Sequence, residues 1–308
     1  MRVLITGGAG FIGSHVAELY SHKGNDLMIL DDLSTGRMEW IADLIQKRKW
    51  RTAFDLCDIR DRNHVRCSIL AFQPQVVCHL AAQPAISTSW SDPILNAQVN
   101  ELGTLNVLDA VIDADCGTRM IFASTSAVYA ETGHILREGS LLGPRTPYGV
   151  SKLAAEQYVR ELWPNSVLLR LGNVYGPKQA PIGRNQVVPL MLRHLLYGDD
   201  FQIIGDGNQS RDFVYVEDVA DAFLLAAWGR PGTYNIASGI STGVNFVAHT
   251  LEEFYGMSGY EWQHSKEQDA RRDVIMDNTA ANNGLDWKPS HSLRDGLALT
   301  AEWWNNQK

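Results

Sequence analysis

A doubly wound α/β fold is predicted by three features of the chain. Short apolar strands recur between amphipathic stretches, those strands show no polar alternation, and a glycine-rich turn follows the first of them. The strands read as Val3-Leu4-Ile5, Leu27-Met28-Ile29-Leu30, Val76-Val77-Cys78, Met120-Ile121-Phe122 and Val167-Leu168-Leu169. Runs that are apolar at every position suit strands buried on both faces, as in a parallel sheet covered by helices. After Gly172 the rhythm gives way to a loop-rich region containing Gly176-Pro177, Pro181, Gly183, Gly205 and Gly207. Phe213-Val214-Tyr215-Val216 and Tyr234-Asn235-Ile236 read as strands returning to the sheet, with a helix from near Glu217 between them. The expected division is a dinucleotide-binding domain over residues 1–171, with a return segment at about 212–238. A smaller, discontinuous domain over 172–211 and 239–308 is expected above the sheet's carboxyl edge.

A chain of 308 residues exceeds the usual size of one hydrophobic core, which suits a large domain with an appendage. It is 45% hydrophobic and 20% charged and holds no apolar run long enough to span a bilayer, so no membrane partner is expected. Met1-Arg2 leads straight into an apolar strand without a signal-peptide core, which implies a cytoplasmic protein. Cys57, Cys67, Cys78 and Cys116 lack metal or redox spacing and read as reduced, mostly buried thiols, with no metal site. A formal charge of −8 without a basic stripe argues against nucleic acid as partner, so any nucleotide bound is a small molecule.

The first strand runs into Gly7-Gly8-Ala9-Gly10-Phe11-Ile12-Gly13, after which Ser14-His15-Val16 opens a helix. In this spacing Gly7 permits a tight turn, Gly10 lets backbone approach a pyrophosphate, and Gly13 allows close helix–strand packing at an anion-favouring helix N-terminus. A plain tight turn is the competing reading. Asp31 ends the second strand at the distance expected of a carboxylate that binds ribose hydroxyls, and Asp32 beside it would repel a ribose phosphate. NAD is therefore expected as cofactor, with Arg37 keeping NADP open. Asp58-Ile59 follows the third strand, where the carboxylate can accept from an adenine amino group and the isoleucine can pack on the ring. A helix cap is the alternative there.

Tyr148-Gly149-Val150-Ser151-Lys152 sets a phenol and an ammonium four residues apart at the start of a helix, on one face. A phenol is a poor base at neutral pH, and lowering its pKa by about three units takes roughly 4 kcal/mol. An adjacent ammonium and a positive nicotinamide ring are expected to supply it. Any such pair can also be a surface helix start with a solvated lysine, but here it lies downstream of a dinucleotide turn. Ala123-Ser124-Thr125-Ser126-Ala127-Val128-Tyr129 ends a strand at the sheet's carboxyl edge, and Thr125 is the hydroxyl expected to bond the reacting oxygen and share its proton with Tyr148.

With these residues in hand, the chain resembles the extended branch of the short-chain dehydrogenase/reductase superfamily, in its nucleotide-sugar epimerase and dehydratase group. The carriers are GGAGFIGS at 7–14, DDLSTG at 31–36, CDIRD at 57–61, HLAAQ at 79–83, STSAVY at 124–129, YGVSK at 148–152 and GDGNQSRDFVYVEDVADA at 205–222. The resemblance covers essentially the whole chain and implies a Rossmann-type fold. It also implies that Leu80, Ala81, Ala82 and Asn100 contact the cofactor together with Phe11, Ile12, Ser34, Thr35, Gly36 and Ser124. Lys152 would bond the nicotinamide ribose. Asn173 and Arg211 would hold a sugar nucleotide's diphosphate, with Ser126 beside the sugar, although Arg211 can instead pair with Asp212. Ala270-Arg271-Arg272-Asp273 lacks the glycine usual in that stretch, which leaves open which arginine meets the diphosphate. Arg271 is carried as a candidate. Ala130 also stands where glycine is usual, and Pro84 sits near the nicotinamide where polar or branched residues occur in other members. Family members commonly dimerise, here through helices within 91–114 and 151–163, and a homodimer is what the likeness implies.

Members that eliminate water usually carry Asp-Glu after the threonine, and decarboxylating members Ser-Glu. This chain has Ser126-Ala127. Without a carboxylate there, the resemblance implies oxidation and re-reduction at C4 of a UDP-glucose/UDP-galactose-type sugar, N-acetylated forms included, with the epimer as product. A dehydratase, decarboxylase or reductase of the same group is the first rival, and an idle NAD-binding sensor the second. Late tryptophans such as Trp262, Trp287, Trp303 and Trp304 suit helix packing better than base stacking.

Overall fold

A computed structural model describes residues 1–47, 51–131, 133–181, 186–257, 259–266 and 273–307. The first half alternates as the apolar pattern requires: β1 (Arg2–Thr6), α1 (Phe11–His22), β2 (Asp26–Asp31), α2 (Ala42–Lys47), β3 (Thr52–Leu56), α3 (Arg62–Phe72), β4 (Val76–His79), α4 (Ile86–Ser91), α5 (Pro93–Ala97), α6 (Gly103–Ala114), β5 (Arg119–Thr125), α7 (Pro147–Leu162) and β6 (Ser166–Leu171). The second half holds β7 (Asn173–Tyr175), α8 (Val187–Tyr197), β8 (Ile203–Ile204), β9 (Ser210–Tyr215), α9 (Val216–Ala226), β10 (Gly232–Ile236), β11 (Ser241–Gly243), α10 (Val244–Phe254), β12 (His264–Ser265), α11 (Thr279–Leu285) and α12 (Leu293–Asn305).

Seven strands form one parallel sheet in the order β10-β6-β5-β4-β1-β2-β3. All residues of β4 and β6 are buried, which is why the stretches Val76–Cys78 and Val167–Leu169 within them are apolar at every position. Alternate side chains feed two cores. Val3 and Ile5 pack with α1 and α9 on one face, and Leu4 and Val77 with α3, α6 and α7 on the other. Strand order reverses between β1 and β4, and a crevice opens there at the carboxyl ends.

Residues 213–216, expected in the main sheet, lie elsewhere. β9 pairs with β7 and β11 in a separate three-stranded sheet, and Val216 begins α9. An apolar run of this length serves either sheet equally well, so sequence pattern does not choose between them. The return to the main layer is made by α9 and β10. The helix packs on α1, where the Tyr20 hydroxyl donates to the Phe223 carbonyl at 2.9 Å. A third core, built from Tyr175, Phe213 and Tyr215 with α8, α10 and α12, lies beneath the small sheet. Trp262 and Trp304 are buried in it, and Trp287 is buried under α9, where its indole N–H donates to the Asp218 carbonyl. Cys57 and Cys78 are buried, whereas Cys67 is exposed. Among the described residues no helix is long and apolar enough to cross a membrane.

Phe223 is fully buried between α9 and the sheet. Phe223→Ala is expected to cost about 3–5 kcal/mol of unfolding free energy, measured by urea denaturation. A loss under ~1 kcal/mol would show that α9 is not held to the sheet by this contact.

Candidate active site

The glycine turn is built by backbone packing. Gly7 has φ +70°, and a Cβ there would lie 2.6 Å from the Ala81 nitrogen, while one at Gly13 would overlap the Gly7 carbonyl oxygen. The Gly7 N–H donates to Leu30 at 2.7 Å and the Gly10 N–H to Gly7 at 3.1 Å, so the turn is locked to the end of β2. Gly10 is the N-cap of α1 and offers no side chain, so the first N–H groups of that helix face the crevice without a side-chain cap. Asp31 joins the turn to β2, its carboxylate accepting from the Ala9 N–H at 2.9 Å and the Leu33 N–H at 2.8 Å. Burial raises its pKa, and these backbone bonds pull against that shift.

The crevice continues into one cleft of about 1210 Å³, more than one small ligand fills. Its wall includes Gly7, Gly10, Phe11, Ile12, Gly13, Asp31, Asp32, Ser34, Thr35, Asp58, Ile59, Leu80, Ala81 and Ala82. Ser124, Thr125, Ser126, Tyr148, Lys152, Asn173 and Arg211 line the same cleft. Trp40, Arg60, Gln83 and Pro84 also line it, and of these Pro84 alone was singled out from sequence. Gly36 and Asn100 lie outside the cleft wall, and Arg271 lies outside the described residues. Gly36 packs behind the turn, where a Cβ would press on the Asp31 carboxylate.

Asp58 is bonded to Arg60, with Nη2 to Oδ2 at 2.5 Å, and that pairing holds its carboxyl below the usual range. The capping role belongs to Asp61, which accepts from the His64 N–H at 3.0 Å and starts α3. Arg37 lies over the Trp40 ring at 5.6 Å and 3.8 Å from Glu39, turned to its own neighbours. Asp212 spends its carboxylate on the N–H groups of Ser238, Gly239 and Met276, and Arg211 donates to the Ser210 carbonyl at 2.8 Å.

α7 begins at a fixed point because Thr146 caps it, accepting from the Gly149 N–H at 3.0 Å, with Pro147 in the first helical position. Tyr148 therefore sits in the first turn, with Thr125 of β5 facing its phenol. Burial pushes that phenol up to about 12, partly offset by Thr125. Lys152, one turn on, is buried with its ammonium 4.1 Å from the Phe122 ring centroid, and burial pulls it down to about 7. The phenol is thus a weak acid in the protein by itself, and of the two cations expected to prepare it the chain supplies only the lysine. A positive charge brought by a ligand is the missing contribution.

Two buried groups stand behind the wall: Asn100, expected at the cofactor, and the pair Glu156 and Arg170, which the sequence reading did not name. Asn100 lies in a π turn, Gln98–Leu102, inserted between α5 and α6. Its amide accepts from the Gln83 N–H at 2.8 Å and donates to the Ser151 hydroxyl at 3.0 Å, bracing the loop after β4 against α7. Glu156 and Arg170 form a buried two-pronged ion pair at 2.9 and 2.8 Å, and the Ser124 hydroxyl donates to the same carboxylate. A charge at Arg170 inside the otherwise apolar run Val167–Leu171 is the sequence signal that a buried partner must exist.

Residues 3–237 match the family model described as the NAD dependent epimerase/dehydratase family. UDP-glucose 4-epimerase from Mycolicibacterium smegmatis is 33% identical over 314 residues, covering 100% of this chain and 99% of that protein. The crystal structure of UDP-glucose 4-epimerase with UDP-glucose from Thermotoga maritima superposes with a TM-score of 0.92 at 33% identity, covering 100% of this chain and 99% of that one. The Thermus thermophilus UDP-glucose 4-epimerase complex with NAD gives 0.90 at 33% identity, with 100% of both chains covered.

Two outcomes test the site's physics. Gly13→Ala is expected to weaken NAD binding at least about tenfold by fluorescence titration, because its Cβ cannot coexist with the Gly7 carbonyl. Undiminished affinity would show that the turn is not the cradle. Lys152 sheds its proton at about 7 when folded, against 10.5 when unfolded, so between those values the unfolded chain binds more protons and stability rises with pH. Lys152→Met lacks this rise. The wild type is expected to gain on it by a few kcal/mol, in order of magnitude, as pH increases across that window, and parallel melting curves would contradict the assignment.

Proposed function

Because the chain belongs to the NAD-dependent epimerase/dehydratase family, we propose that it is a nucleotide-sugar 4-epimerase of the UDP-glucose/UDP-galactose type. The chain's own geometry fits the cofactor. The glycine cradle leaves no room for a Cβ, α1 presents an open N-terminus suited to a pyrophosphate, and Asp31 and Asp32 stand where ribose hydroxyls need acceptors. Asp58 and Ile59 are assigned to the adenine end, and Leu80, Ala81 and Ala82 to the wall towards the nicotinamide. Bound NAD supplies a reversible hydride acceptor and a positive ring.

The protein's contribution begins with the sugar. Asn173 and Arg211, on the same cleft wall, anchor the diphosphate, and Ser126 and Thr125 meet the sugar hydroxyls. Thr125 bonds the C4 hydroxyl and relays its proton to Tyr148, the general base. Lys152 holds the nicotinamide ribose and offers its ammonium to the phenolate. The convergence of Tyr148, Thr125 and Lys152 on the wall of the cleft that holds the glycine turn is the observation that carries this reading.

Ser126-Ala127 place no carboxylate beside Thr125, so the protein offers no acid or base for elimination or decarboxylation there. The 4-keto sugar is then left to re-reduction, and hydride returned to its opposite face while the diphosphate stays held gives the epimer. A homodimer belongs to the same proposal. Ile94, Leu102, Val150, Tyr158 and Leu162 are exposed along α5, the π turn and α7, and a monomer by light scattering would remove it.

Incubation with UDP-, dTDP-, GDP- and CDP-sugars without added reductant is expected to interconvert gluco and galacto forms, fastest with UDP. Tyr148→Phe is expected to lower kcat by about 10²–10⁴-fold. Loss of water or carbon dioxide from the sugar would replace this reading with the first rival. Inertness with NAD bound would replace it with the sensor.

A further inference from the structure

We propose that Glu156, a carboxylate outside the ligand cleft, is a positioning residue of this reaction. It fixes β5 against α7 so that Thr125 meets Tyr148, and it sets a negative charge one helical turn from Lys152. The inference rests on the epimerase reading of the same site.

Glu156 is 1% exposed and follows Lys152 by four residues on α7, close enough for the two side chains to interact along one face. Its first oxygen accepts from the Ser124 hydroxyl and from Arg170 Nε at 2.9 Å, and its second from Arg170 Nη2 at 2.8 Å. Ser124 immediately precedes Thr125 on β5, and Arg170 stands on the neighbouring β6 in register with Ser124. One carboxylate thus bonds the strand that carries the threonine, rides the helix that carries the tyrosine and lysine, and ties both to a third element. Arg170 is fixed in turn by donating to the Glu138 carbonyl at 3.0 Å and by stacking over the Tyr129 ring at 4.8 Å.

Charge follows from the same placement. Lys152 faces the Phe122 ring from β5, His79 from β4, and Tyr148 and Glu156 along α7. Burial and the Lys152 charge push His79 down to about 3, so it is neutral. Glu156 brings the negative charge in this group, and it opposes the burial that favours neutral lysine. A buried ion pair is seldom more stabilising than apolar residues of the same shape, so fold stability is a weak explanation for this one. Holding the reacting hydroxyls in register while keeping the lysine protonated is a stronger one.

The test titrates the Lys152 side chain by lysine-resolved NMR on the full chain, with Lys152→Arg assigning the signal. Glu156→Gln is expected to lower the midpoint by about one pH unit, and Glu156→Asp to move it back. Turnover in Glu156→Gln is expected to fall about tenfold at about pH 8, with the deficit narrowing as pH falls and both lysines become protonated. Glu156→Gln strands Arg170 and can fail to fold, so Ser124→Ala is the second variant. It keeps the ion pair and removes the Ser124 bond to the carboxylate, and kcat is expected to fall by about threefold to tenfold with unchanged affinity for NAD, which separates this effect from loss of a cofactor contact. An unmoved Lys152 midpoint with a pH-independent loss of turnover would make Glu156 structural and overturn the proposal, as would full activity in Ser124→Ala. A shifted midpoint in a protein inert towards every nucleotide sugar would sink the epimerase reading and leave the charge coupling standing.

Discussion

The backbone contact between Gly7 and Gly13 sets where α1 points, and the rest of the cleft takes its position from that helix. Neither residue has room for a Cβ, so the turn closes until β1, α1 and the chain after β4 meet at Ala81. Asp31 then pins the turn to β2 from the other side, through Ala9 and Leu33. The result is a helix end whose free N–H groups and a strand end whose carboxylates face one crevice, as an anionic linker flanked by ribose requires.

Behind this surface lies a polar frame that touches no solvent. Thr6, His79 and Thr104 form a hydrogen-bonded column through the sheet, with 2.6 and 2.9 Å contacts to the two imidazole nitrogens, and Thr104 passes the column on to the Asn100 carbonyl. From Asn100 it runs through Ser151, which bonds the Tyr148 carbonyl at 2.9 Å. The strand bearing the glycine turn and the helix bearing the reactive pair are therefore parts of one braced unit. Satisfied buried networks of this kind specify a single geometry more than they add stability.

Much of this was legible in the residues. The strands of the main sheet were readable because burial on both faces leaves only apolar side chains, and the first turn because only glycine fits its close approaches. Tyr148 and Lys152 were readable as a pair because helical spacing puts them on one face. What escaped depended on partners far along the chain. The π turn at Asn100 changes hydrogen-bond register without a residue signature, so the side chain was expected in the cleft and braces the loop behind it instead. Phe213 to Tyr215 joined the smaller sheet because strand pairing is chosen by topology, not by apolar pattern. The cost of burying the Tyr148 phenol is likewise absent from the sequence, because it is set by the walls that the fold brings around it.

The chain passes between its larger and smaller layers by very short steps. Only Gly172 separates β6 from β7, and β9 runs into α9 without an intervening residue. Gly172 is pressed between the Asp212 carbonyl and Ala237, and Asp212 laces in the segments at Ser238 and Met276. At these two crossings the smaller layer is therefore held close to the larger one. On the epimerase proposal, the same short crossings would keep the walls on either side of the sugar in register through both hydride transfers.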